Sequence, residues 1–213
     1  MVLKVVFVTA ALFAILLTLV ASKSAALLRL DLATAQELHE YALTHGRFTQ
    51  TLKNISDVGS TTAWCAILAV TMGQLAYRRL PRLVFFVLVT SAASSVLNLL
   101  IKLAVHRARP NLAHPIVTVS GNSFPSGHAQ AAIVGYGILL VVFLPAIPRR
   151  RRPLAVIAAA IVVLLIGFSR IALGVHYLSD VVSGYLVGSL WLIALVAIFG
   201  VWRPDIGNRC IRS

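Results

Sequence analysis

Six long apolar runs, each set off by a basic or polar connection, leave this chain few folds to adopt. They span about residues 5–21, 61–77, 83–100, 129–147, 154–173 and 181–201. A bilayer core about 30 Å thick is crossed by roughly 20 apolar helical residues, and a helix satisfies its backbone groups internally there. The runs are apolar on all sides, as suits lipid, and lack the single stripe of a surface helix. Of 213 residues, 59% are hydrophobic and only 12% charged, too little polar surface to clothe a soluble core. The expectation is an all-α integral membrane bundle of six transmembrane helices, with residues 1–213 as a single membrane domain. The first run has Lys4 before it and "ASKSA" after it, the outline of a signal peptide, but its apolar length favours a retained helix.

The net charge of +13 does not point to nucleic acid. The basic residues cluster between apolar runs, with no aromatics interleaved, as topology signals do. With the N-terminus in the cytoplasm, eleven Lys and Arg fall inside: Lys4, Arg78, Arg79, Arg82, Arg149 to Arg152, Arg203, Arg209 and Arg212. Eight fall outside, among them Lys102, Arg107, Arg109 and Arg170. Five of the six acids are outside, and only Asp205 is inside. "PRRRRP" at 148–153 then reads as a cytoplasmic anchor. Cys65 and Cys210 lack CxxC spacing, and no disulfide or metal pair is expected of them. Within 22–60, Leu32, Ala35, Leu38, His39 and Ala42 recur at helical spacing, which suits either a helix lying on the membrane surface or a solvated connecting helix. Gly184 and Gly188 form a GxxxG, a hint of close helix packing.

This orientation brings three polar clusters to one boundary: residues 102–110, residues 125–128 and residues 169–180. Ionisable residues inside a membrane are costly and usually functional. His176 and Asp180 are four apart, so on a helix they share a face. A carboxylate on one imidazole nitrogen fixes the tautomer and leaves the other nitrogen a better nucleophile. Arg170 can fork two donors onto phosphate oxygens, and Lys102 and Arg109 add charge. Arg109 precedes Pro110, which biases it into a loop. Pro125, Ser126 and Gly127 stand where a helix starts, with backbone N–H groups free for an anion, and His128 is a second imidazole for proton transfer. Each part has a plainer role: Lys102 a snorkelling anchor, "PSG" a cap, His176–Asp180 a structural bond. Their coincidence favours a site that binds a phosphate dianion and transfers it with no metal, Asp180 being the only acid expected nearby. His39, His45, His106 and His114 read as loop or interface histidines, while Arg107 could assist headgroup binding.

These residues meet the pattern K-x6-R-P, P-S-G-H, S-R-x5-H-x3-D at Lys102, Arg109 and Pro110, at Pro125 to His128, and at Ser169, Arg170, His176 and Asp180. In this the chain resembles the type-2 phosphatidic acid phosphatase superfamily of membrane lipid phosphatases, over about residues 55–202. The resemblance implies a phosphohistidine on His176, oriented by Asp180, with His128 protonating the leaving oxygen. It also implies phosphate binding by Lys102, Arg109, Ser126, Gly127, Arg170 and Ser169, no metal or other cofactor, and inhibition by vanadate. The implied partner is a lipid phosphate in the bilayer: phosphatidylglycerol phosphate, undecaprenyl pyrophosphate or phosphatidic acid, the first two favoured. The implied location is the outer face of a bacterial inner membrane. A phosphotransferase using the same site, or a non-enzymatic anion-binding or transport protein, are the alternatives.

Overall fold

The computed structural model describes residues 2–201; Arg203, Asp205, Arg209, Cys210 and Arg212 of the charge and cysteine reading lie outside them. Eight α-helices are found among the described residues: α1 Val2–Ala21, α2 Ala25–Thr44, α3 Gly46–Val58, α4 Thr61–Tyr77, α5 Pro81–Val105, α6 Gly127–Phe143, α7 Arg152–Ala172 and α8 Leu178–Phe199. Two 3-10 turns, Leu144–Ala146 and Arg149–Arg151, join α6 to α7 through Pro145 and Pro148. No strand occurs among the described residues.

Among the described residues, five spans are long and apolar enough to cross a membrane, and α3 with α4 makes a sixth if that pair, bent by 42°, is counted as one. The second run, expected to cross alone, is therefore a half-partner: α4 has only 17 residues. The break is local. Gly59 closes α3, and Ser60 caps α4 by accepting from the Ala63 N–H. A Cβ on Gly59 would sit 2.6 Å from the Ile166 side chain, so this break is also where the chain presses onto α7.

The remaining runs are realised with shifted ends that bear on the polar clusters. α5 continues past residue 100 to Val105, so Lys102 stands in its last turn and not in a connection; His106, at φ 50°, ends it. α8 begins at Leu178, so Asp180 lies in its first turn, whereas His176 lies in the short link before it. The pair is thus not on one helix as the spacing implied, yet it still meets.

α6 packs most extensively on α8, with α5, α7 and α1 around them. The Gly184–Gly188 pair makes that contact. A Cβ at 184 would be 2.7 Å from the Ser126 carbonyl oxygen, and one at 188 would be 2.0 Å from Ile133 Cγ2. α2 is the helix expected within 22–60. Its buried face, Asp31, Ala35, His39 and Ala42, packs against α7 and α8, so it is part of the protein core at that end. His39 Nε2 lies 3.2 Å from the carbonyls of Ala113 and His114, an interface histidine as expected.

Candidate active site

All three clusters meet where α5, α6, α7 and α8 end on one side. His176 is buried, and its Nδ1 lies 3.5 Å from Asp180 Oδ2 and 3.4 Å from Ser123 Oγ. Facing these acceptors, Nδ1 carries the proton and Nε2 keeps its lone pair. Arg109 Nη1 lies 3.2 Å from Nε2 and donates 2.8 Å to the Val175 carbonyl. Burial is the main influence on His176 and outweighs the hydrogen bond to Asp180, holding its pKa below the ordinary 6.5.

Asp180 is saturated. Oδ2 accepts from the Ser123 hydroxyl and from the Tyr177 N–H at 3.0 Å, and Oδ1 accepts from Arg107 Nη1 at 2.7 Å. Arg107 also donates from Nη1 to Ser179 Oγ and from Nη2 to Asp31 Oδ2, each at 2.7 Å. Its guanidinium carbon sits 4.3 Å over the Tyr177 ring. Burial works to lower the Arg107 pKa, and the two carboxylates more than offset it. Among the described residues Arg109 has no carboxylate contact, and burial leaves its pKa below the usual value. Asp31 completes the set by accepting from the Ser179 N–H at 3.0 Å and from its hydroxyl at 2.5 Å. An acid from α2 thus caps the N-terminus of α8 from across the fold. The expectation that Asp180 would be the only acid near the site does not hold.

The other expected residues are placed as follows. Lys102 Nζ donates 2.8 Å to the Asn122 carbonyl, and the Asn122 amide returns a 2.8 Å bond to the Lys102 carbonyl. Arg109 Nε donates 3.0 Å to the Gly121 carbonyl. The far part of the 106–126 loop is thereby held back onto the site by two cations, one in the last turn of α5 and one near the loop's start. Ser126 caps α6, and its N–H donates 2.9 Å to the Asp180 carbonyl, so α8 holds the start of α6 directly. Gly127 opens α6, and His128 follows it with Arg170, His176, Arg109 and Lys102 as its charged or titratable neighbours. Arg170 is 5% exposed; Nη1 donates to Ser56 Oγ of α3, and Nε has no partner among the described residues. Ser169, expected to face the phosphate, donates its hydroxyl 2.6 Å to the Ile166 carbonyl of its own helix.

The arrangement offers fixed cations, free helix-start N–H groups and two imidazoles around one point. Among the described residues, no group of three or more His, Cys, Asp or Glu is placed to hold a metal ion. Sequence reasoning missed Asp31, Asn122, Ser123 and Ser179 and understated Arg107. Only Arg107 carried a local signal, as a second arginine inside the first cluster.

The profile of the PAP2 superfamily matches residues 83–204. The chain belongs to the PAP2 superfamily. Over 98 residues it is 40% identical to phosphatidylglycerophosphatase B of Bacillus subtilis (strain 168), covering 45% of this chain and 47% of that protein. Over 122 residues it is 35% identical to lipid A 1-phosphatase of Rhizobium etli, covering 53% of this chain and 48% of that one. The chain spans about half the length of the curated relatives it matches. The fold is similar throughout to the crystal structure of a transmembrane PAP2-type phosphatidylglycerolphosphate phosphatase from Bacillus subtilis. The TM-score is 0.81 and the identity 25%, over 93% of this chain and 98% of that one. Every motif residue lies within the PAP2-matched segment, whereas Asp31 and Ser56 lie before it.

Proposed function

We propose that this protein is a membrane lipid phosphatase working through a phosphohistidine. The observation that carries the reading is His176, held between Asp180 on Nδ1 and Arg109 on Nε2. An arriving phosphate dianion takes over Arg109, together with Lys102, Arg170 and the N–H groups at Gly127 and His128. Nε2 then attacks phosphorus, an N–P bond forms as the ester P–O bond breaks, and His128 gives its proton to the leaving oxygen. Positive charge developing on the imidazole is balanced by Asp180. In the second half, His128 takes a proton from water as the water oxygen attacks phosphorus, releasing inorganic phosphate and neutral His176. Ser169 supports the shell by fixing the last turn of α7, which carries Arg170.

The substrate is a lipid phosphate whose chains stay in the bilayer. Phosphatidylglycerol phosphate is favoured over undecaprenyl pyrophosphate and phosphatidic acid, in keeping with the Bacillus relative's name. The site faces the outside of a bacterial cytoplasmic membrane, and residues 1–213 act as one membrane domain.

The test is phosphate release from these three lipids by purified protein in detergent with EDTA. Release that vanadate suppresses and His176→Ala abolishes is expected. No release from any of them, or full activity in His176→Ala, would reject the reading.

A further inference from the structure

We propose that the side-chain oxygen of Asn98 is a specificity acceptor. It selects lipid phosphates that carry a hydrogen-bond donor, hydroxyl or amide N–H, on the carbon next to the phosphorylated one. This rests on the phosphatase reading and goes beyond it by naming which lipid phosphates the site prefers.

A cavity of about 500 Å³ opens between α4, α5 and α6. Trp64, Leu68, Met72 and Val134 form its apolar wall, while Asn98 and His128 stand at its polar end. It therefore runs from the proton donor of the proposed reaction into the bilayer region, the course a leaving lipid alcohol has to follow.

Among the polar residues that line this course, Ser94, Asn98 and Gln130 are bonded to one another, and their hydrogen bonds leave one way round for each amide. Gln130 donates from Nε2 to the Ser94 carbonyl at 2.9 Å and meets the Ser94 hydroxyl at 3.0 Å. A carbonyl only accepts, so that end of Gln130 is its NH₂, and Oε1 faces the other way. Oε1 accepts from Asn98 Nδ2 at 2.9 Å. The NH₂ of Asn98 is thereby engaged, and Oδ1 is its free end, accepting no hydrogen bond among the described residues. Flipping Asn98 would set oxygen against oxygen. With Ser94 5% and Gln130 1% exposed, the acceptor is rigidly held from behind. Polar groups at this depth are costly unless they are used.

The position matches a substituent beside the reacting bond. Asn98 is four residues before Lys102, hence on the same face of α5 and roughly 6 Å deeper. Its Oδ1 lies 3.4 Å from where a Cβ on Gly127 would be, next to the helix start proposed to hold the phosphate. With phosphorus among Lys102, Arg170 and these N–H groups, Oδ1 falls beside the first carbons beyond the bridging oxygen. A hydroxyl or amide N–H there completes the chain from Ser94. A methylene there, as in a prenyl phosphate, leaves the acceptor desolvated and unpaired, the situation that makes polar sites discriminate strongly.

The test compares phosphatidylglycerol phosphate with the same lipid lacking the hydroxyl on the middle carbon of its headgroup glycerol. kcat/KM is measured in mixed micelles for wild-type protein, Asn98→Leu and the smaller Asn98→Ala. Wild type is expected to favour the hydroxylated lipid by at least about tenfold. In the variants the ratio falls to within about threefold of unity, through loss on the hydroxylated lipid alone. A wild-type ratio near one overturns the proposal before any variant is made, as does a variant that folds and keeps the ratio. Failure to release phosphate from either lipid and from phosphatidic acid is a different result. It rejects the phosphatase reading, and the acceptor falls with it.

Discussion

At the scale of single residues, the charge balance around His176 decides how well Asp180 can serve it. Arg107 lies between two carboxylates, 2.7 Å from Asp31 and 2.7 Å from Asp180, so its charge is shared. In the proposed reaction Asp180 therefore keeps negative charge for the imidazolium that develops during attack. In Asp31→Asn the geometry is nearly kept, but Arg107 turns wholly to Asp180. We expect kcat to fall on the order of tenfold, about 1.4 kcal/mol of barrier, with KM little changed. Adding Arg107→Gln restores the balance and is expected to recover part of the loss. A purely structural role for Asp31 would show no such recovery in kinetics, only a further drop in thermal midpoint. His176 itself gives a second test. Because burial lowers its pKa, the ring stays neutral below 6.5, while the unfolded chain is already taking up protons there. Stability is thus lost as pH drops from 6.5 toward the folded value. Histidine nitrogen NMR, assigned with His176→Ala, should show a titration midpoint below 6.5; a midpoint at or above it contradicts the environment described. The motif residues were legible because short spacings set them. Asp31 was not: its partners Arg107 and Ser179 are at least 76 positions away, and a lone acid on an amphipathic helix has no local mark. Asn98 and Gln130 did have a mark, being amides inside apolar runs, but only their contact shows which atom is left free.

Among the elements, the α6–α8 contact sets the distance between the two imidazoles proposed to act in catalysis. His128 rides on the first turn of α6, and Asp180 on the first turn of α8. Two features tie these turns together: the Ser126 N–H bond to the Asp180 carbonyl at 2.9 Å, and the missing side chain at Gly184 beneath the Ser126 carbonyl. A Cβ there would meet backbone at 2.7 Å, which cannot rotate away as a side chain can. Gly184→Val is therefore expected to cost about 1–3 kcal/mol of stability. Activity should fall further than the loss of folded protein accounts for, read as kcat per folded molecule by thermal melting and phosphate release. Unchanged kcat per folded molecule would mean that this contact does not set the site. The GxxxG was readable in the sequence, but a helix pair within the chain and a pair between two chains share that signature. Packing against Ser126, Ile133 and Gln130 assigns it to the former. The α3–α4 bend was not readable, since apolar length counts residues and does not see the close approach of Gly59 to Ile166.

For the whole molecule, the basic connections and the site lie at opposite ends of the bundle. Arg78 and Arg79 lie between α4 and α5 and Arg149 to Arg151 between α6 and α7, with Arg82 and Arg152 in the first turns of α5 and α7. The polar clusters and α2 belong to the other end, and the helix order carries the chain from one to the other without exception. Short basic connections are usually retained in the cytoplasm, and this is the ground for the outward-facing site proposed above. The count alone, eleven against eight, is a modest bias. It is sharpened because Arg107, Arg109, Arg170 and Lys102 are each engaged in the site, whereas Arg149 to Arg151 stand exposed at the opposite turn. Charges bound to carboxylates or carbonyls around His176 have a binding role to explain them, whereas Arg149 to Arg151 make no side-chain hydrogen bond or ion pair among the described residues and read as anchors. In a background without Cys65 and Cys210, Thr118→Cys, exposed in the 106–126 loop, should react with an impermeant thiol reagent on intact cells. Arg150→Cys should react only after the membrane is opened. The reverse pattern would put the site in the cytoplasm, where it would act on lipids of the inner leaflet. Equal labelling of both positions in intact cells would mean that the α6 and α7 spans do not form the hairpin described.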